Sequence, residues 1–203
     1  MPTFPADHET AARAALTLAA GTRWRDLTLA QVCEAAGLTL TALYPMASPD
    51  CLIPLIDARF DRAMSGGRVE AEAVVRERLF DVIMRRFEAM ETERSGVMSM
   101  LAHVAASPAR QAAAFLRRQD SARWALACAG AEREGSVWLA PARRVGLALV
   151  MMQTEQAWLT EESADFSRTM QRLDKGLRDG EERLSTLRNP FSMRAGGPAG
   201  SDI

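Results

Sequence analysis

Apolar residues recur along this chain three and four positions apart, and nowhere in strict alternation. The clearest run lies between Ala142 and Leu177. Val145, Leu149, Met152 and Leu159 fall at helical spacing, and Leu147, Ala148, Val150 and Met151 fill the gaps. A helix apolar on nearly all sides belongs inside a bundle. Glu161-Glu162-Ser163 breaks the pattern, and Ser163 or Asp165 offers an oxygen to cap the next helix. There the stripe is strict: Phe166, Met170, Leu173 and Leu177 stand at i, i+4, i+7 and i+11, while Arg168, Arg172, Lys175 and Arg178 face away. The two segments read as a helical hairpin.

Upstream the same spacing predicts more helices. Asp7 precedes Ala11, Ala14, Ala15, Leu18 and Ala19, a run stopped by Gly21. Thr28 caps residues 29–36, which Gly37 terminates, and a second short helix over 39–44 ends against Pro45. Two short helices about a Gly turn predict a helix-turn-helix. Ser48-Pro49-Asp50 starts a helix reaching Met64, with Pro54 inside it as an expected kink. Amphipathic helices are expected over residues 69–91, 94–106 and 109–129. A loop over 130–140 carries Val137, Trp138 and Leu139, and the Gly- and Pro-rich stretch from Arg194 to Ile203 reads as disordered. The whole is all-α, with about nine helices. A head over residues 1–50 precedes a body over 51–190 and a tail over 191–203.

Charge changes this picture only in the head. The formal net charge is −1, which draws the protein toward neither nucleic acid nor anionic membrane. Residues 1–50 hold Arg13, Arg23 and Arg25 against Asp7, Glu9, Asp26, Glu34 and Asp50. The segment Thr39-Leu40-Thr41-Ala42-Leu43-Tyr44 has no Lys, Arg, Asn or Gln, the side chains that most often read base edges. Three scattered cysteines, Cys33, Cys51 and Cys128, suggest reduced thiols in a cytoplasmic protein. The most apolar run, residues 145–152, is too short to span a membrane. No nucleophile–base pattern or Gly-rich phosphate loop is visible, and His8 and His103 are the only histidines. We therefore expect neither an enzyme nor a metal or other cofactor.

Two resemblances follow from these residues. Thr154-Glu155, Ser163-Ala164-Asp165-Phe166, Thr169 and Leu173 resemble the C-terminal pattern of a lipid-binding family that assists ubiquinone (coenzyme Q) biosynthesis and is built on the TetR fold. Arg85-Arg86-Phe87 and residues 121–130 extend the likeness more loosely. Thr28, Val32, Ala36-Gly37-Leu38, Leu43-Tyr44 and Leu52 are similar to the DNA-binding head of TetR regulators. Those heads usually follow the Tyr with an aromatic and then a Lys at the next helix start. Here those places hold Met46, Ala47, Pro49 and Asp50.

The resemblances imply a TetR-like homodimer that binds an apolar small molecule or isoprenoid lipid. The leading expectation is the ubiquinone accessory type, the alternative a ligand-controlled repressor. Pocket candidates are Met84, Met98, Leu101, Val104, Phe115, Leu116 and Trp124, with Glu155 orienting a head group or, the favoured reading, pairing with Arg143 or Arg144. Phe166, Met170, Leu173 and Leu177 are the expected dimer interface. Thr39, Thr41 and Tyr44 would meet a DNA groove, with Arg23 and Arg25 on phosphates. Trp138 is either a membrane-touching tip or a lid, and the amphipathic tail helix that carries membrane contact in the ubiquinone family is reduced here to Phe191 and Met193.

Overall fold

A computed structural model describes residues 5–68, 70, 72–132 and 139–188, with side chains of the final helix to 186. Trp138, Val137 and the tail over 191–203 lie outside the described residues. Eight α-helices follow in order: α1 Ala6–Ala19, α2 Leu29–Ala36, α3 Ile53–Ala63, α4 Val75–Glu91, α5 Arg94–Ala105, α6 Pro108–Cys128, α7 Ala140–Leu159 and α8 Ser167–Arg188. Short 3-10 turns occupy Trp24–Asp26, Leu40–Leu43 and Pro49–Leu52. Among the described residues there is no strand.

The head is built on small side chains. Ala11, Ala12, Ala15, Leu16 and Ala19 bury one face of α1. Their size lets α1 approach α5 until backbones touch: a Cβ added at Gly96 would lie 2.2 Å from the Leu16 carbonyl oxygen. α2 opens with a reciprocal cap. Thr28 Oγ accepts from the Gln31 amide, and the Gln31 side chain accepts from the Thr28 amide. It closes at Gly37, whose φ of 65° is the left-handed conformation that suits glycine.

Three sequence expectations are corrected here. The short helix expected over residues 39–44 forms only the 3-10 turn Leu40–Leu43, since Pro45 supplies no amide to extend it. Pro54 does not kink a helix interior. The turn Pro49–Leu52 ends first, and Pro54 falls in the first turn of α3, where its missing N–H leaves no bond unmade. α4 also begins later than its apolar spacing suggests, at Val75.

In the body, α7 packs between α6 and α8, and α4 meets α3, α6 and α8. Both expected caps of α8 operate: Ser163 Oγ and Asp165 Oδ1 each accept from the Ser167 amide, at 3.3 and 3.2 Å. Behind them Glu161 accepts from the Thr169 amide and hydroxyl and from Ser163. Burial opposes ionisation of Glu161, yet these hydrogen bonds prevail and hold its carboxyl down to about 2. Arg94 clamps the same corner. It stacks 4.6 Å from the Trp158 ring centroid and donates to the carbonyls of Trp158 and Glu161.

Candidate functional site

The exposed face of the head is set by α2 and the following turn. Val32 and Leu43 are buried and pin the two pieces together. His8 on α1 reaches the Ala42 carbonyl at 3.2 Å and ties the turn down. What remains outside is Thr39, Leu40, Thr41 and Tyr44, with Tyr44 81% exposed. Arg23 and Arg25 also face solvent, but both flank Asp26, at 2.6 and 3.7 Å. The head thus presents hydroxyl, apolar and aromatic groups, with its few cations partly neutralised.

The body holds a buried charge network. Asp57 and Asp61 on α3 both receive Arg86 of α4, at 3.0 and 2.9 Å. From α6, Arg117 donates to Asp57 at 2.8 Å, and Ser121 donates to Asp61 at 2.7 Å. Arg118 reaches Asp57 at 3.4 Å and Glu155 of α7 at 2.7 Å. Arg86 and Arg118 are 1% and 3% exposed. Three acids therefore offset three guanidiniums in an interior where an unpaired charge would be very costly. Burial pushes the Asp57 carboxyl up, but Arg118, Arg86 and Arg117 together hold it below the ordinary aspartate range. The guanidinium of Arg118 is stabilised in turn by Glu155, Asp57 and Asp61.

The body has two concavities, and the network borders the first. One, of about 440 Å³ between α3 and α6, is lined by Asp57, Asp61, Arg117, Asp120, Arg123 and Trp124 among others. The second, of about 660 Å³ and mostly apolar, runs along α4, α7 and α8 past Leu79, Leu147, Leu149, Val150 and Leu177.

The residues expected to form one apolar pocket differ widely in exposure. Met84 and Val104 are core, Leu101, Phe115 and Trp124 are half-buried, and Met98 and Leu116 are 38% and 63% exposed. Of the eight, only Trp124 lines either concavity. Glu155 does pair with an arginine, but with Arg118 rather than Arg143 or Arg144, because α6 lies directly against α7. The expected interface stripe faces inward as well. Leu173 is fully buried and Leu177 nearly so within the single chain, while Phe166 and Met170 pack partly against the core. Phe166 itself precedes α8, at φ 57°. His103, in the last turn of α5, finds Asp50 at 2.9 Å.

The network was missed at the sequence level, although its signal was present. Asp57 stands in step with Ile53, Ile56 and Phe60, and Arg86 with Val82 and Met90. A charge in register with apolar residues on an amphipathic helix is a buried charge, and it needs a partner from another helix.

Solved structures share this fold. A TetR transcriptional regulator from Nitrosomonas europaea superimposes with a TM-score of 0.68 at 20% identity, covering 86% of this chain and 98% of its own. A TetR transcriptional regulator from Rhodococcus sp. RHA1 gives 0.61 at 16% identity, covering 91% and 98%. The fold is TetR-like. No protein-family model matches the chain. No curated protein matches it either. In TetR-fold terms, α1, α2 and the turn Leu40–Leu43 form the head, and α3 leads from it into the helical body. Among the described residues no helix is long and apolar enough to cross a membrane.

Proposed function

We propose that this protein is a TetR-type transcriptional regulator, acting as a homodimer whose two heads engage DNA and whose body answers a small-molecule effector. The observation that carries this reading is the extent of the likeness. It takes in 98% of each regulator, head and body alike, rather than the helical bundle alone. Thr39, Leu40, Thr41 and Tyr44 form the exposed face expected to enter the groove. Hydroxyls can meet bases or phosphates, and Leu40 suits a thymine methyl.

The ubiquinone accessory reading has less behind it. It rests on a residue pattern that no family model or curated relative reinforces, and of its expected pocket residues only Trp124 lines either of the two concavities. Selection from fragmented genomic DNA separates the two. Enrichment of one palindromic site at physiological salt supports the regulator. Failure to enrich any site, together with a long-chain lipid recovered in stoichiometric amount by organic extraction, returns the protein to the lipid-binding reading.

For the dimer we assign the outer face of α7 and the groove beside it. Leu149 is 46% exposed in the middle of an otherwise apolar helix, and the groove walls come from both α7 and α8. An apolar surface of this kind is self-complementary across a two-fold axis when both helices pair with their mates.

A further inference from the structure

Asp50 is the junction between head and body. It sits in the turn Pro49–Leu52, at the point where the chain leaves the head for α3. Its carboxylate collects three donors from three parts of the molecule. Trp24 Nε1, from the loop between α1 and α2, donates to Oδ1 at 3.1 Å. His103 Nε2, on α5, lies 2.9 and 3.1 Å from the two oxygens. Arg110 Nε, on α6, donates to Oδ2 at 3.1 Å.

The joint continues on both sides. Trp24 is 1% exposed, and its amide donates to Ser99 Oγ of α5, which in turn donates to the Thr22 carbonyl. Below Asp50, the pairs Asp50–Arg110, Asp57–Arg117 and Asp61–Ser121 all keep the same separation of 60 residues. Equal offsets mean that the Pro49–Ala63 segment and α6 run parallel and in register. Steps of seven and four residues keep every rung on one helical face. Rigid rungs thus run from the buried network to the base of the head. At the helix start where the TetR resemblance implies a lysine, this chain has Asp50, whose carboxylate meets Trp24, His103 and Arg110.

We propose that Asp50 is the positioning residue of the head: by holding Trp24, His103 and Arg110 at once, it fixes the angle at which the recognition turn leaves the body. This rests on the regulator reading for its consequence. In a dimer, that angle sets the distance and rotation between the two recognition turns, and hence the half-site spacing that the protein accepts. Because His8 ties the turn to α1, and Trp24 follows α1, a clamp at Trp24 governs the whole head.

The test uses Asp50→Asn and, separately, His103→Gln combined with Arg110→Gln, in the full chain. With operator half-sites separated by a series of spacers, the unaltered protein should prefer one spacing over its neighbours by at least tenfold. Both variants should keep the half-site sequence preference and the thermal stability of the body, while spacing discrimination falls below about threefold. Retained discrimination overturns the assignment. Hydrogen exchange gives a readout that needs no DNA. Amides of α2 and the Leu40–Leu43 turn should exchange at least tenfold faster in both variants, with α4 amides unchanged. Unaltered head exchange overturns the clamp. If the unaltered protein selects no operator, the regulator reading falls, and exchange alone decides whether Asp50 holds the head.

Discussion

At the scale of single residues, the body depends on charges that satisfy one another. Arg118 serves Glu155 and Asp57, and Asp57 keeps Arg86 and Arg117 when Arg118 is removed. Glu155, by contrast, is held by Arg118. Arg118→Met should therefore cost about 3–5 kcal/mol, chiefly by stranding the Glu155 carboxylate. Adding Glu155→Leu should recover most of that loss, which urea denaturation of the single and double variants will show. The same carboxylates set the acid limit. Asp57, Asp50 and Glu161 all lie below their ordinary values in the folded state. A depressed folded pKa contributes stability above the unfolded value near 4 and loses it as pH falls toward the folded one. Thermal melting should thus be flat from pH 7 to 5 and drop steeply between pH 4 and 2. A loss centred above pH 5 would mean that these carboxylates do not set the limit.

At the scale of elements, caps and close approaches decide where helices begin and how they meet. The Thr28–Gln31 box holds α2, a helix of only eight residues that precedes the exposed turn Leu40–Leu43. Thr28→Ala should cost about 1 kcal/mol and increase hydrogen exchange in α2 before any other helix. The α1–α5 contact is of a different kind. At Gly96 a methyl group meets the Leu16 backbone, which cannot rotate away as a side chain would. Gly96→Ala should lower stability by about 1–3 kcal/mol, despite alanine's better helix propensity. An unchanged or raised unfolding midpoint would mean that α1 and α5 separate freely.

At the scale of the whole molecule, the surfaces left over after the core has formed become the functional ones. Leu173 is consumed by the protomer, whereas Leu149 is left outside. Leu149→Asp should give a folded monomer by light scattering and circular dichroism, while Leu173→Asp should fail to fold. A folded dimer in the first case would move the interface away from α7. The head offers DNA little charge. With Arg23 and Arg25 from two protomers as the phosphate contacts, the slope of log K against log salt should be no steeper than about −4. Binding should then depend on the groove contacts of Thr39, Thr41 and Tyr44. A much steeper slope would reveal phosphate contacts from the body.

The sequence by itself determined what repeats or caps locally. Apolar periodicity placed α5 and α6 to within a residue or so, and Thr28, Gly37 and Ser163 marked helix ends whose bonding is local in the chain. The all-helical class was legible in that spacing, and the TetR-like fold in the resemblance carried by Thr28, Val32, Ala36-Gly37-Leu38 and Leu43-Tyr44. Tertiary structure alone decided which apolar residues face inward and which charges meet. An amphipathic stripe states that a face is covered, not by what, so Leu173 looked the same whether its cover was α7 or a second chain. Asp57, Arg86, Arg118 and Glu155 come from four helices, and no local rule joins residues so far apart. Asp50 shows the same division. Its place at a helix start was readable from Ser48-Pro49-Asp50, but its three partners come together only because α5, α6 and the Trp24 loop converge there, where a carboxylate can satisfy them all.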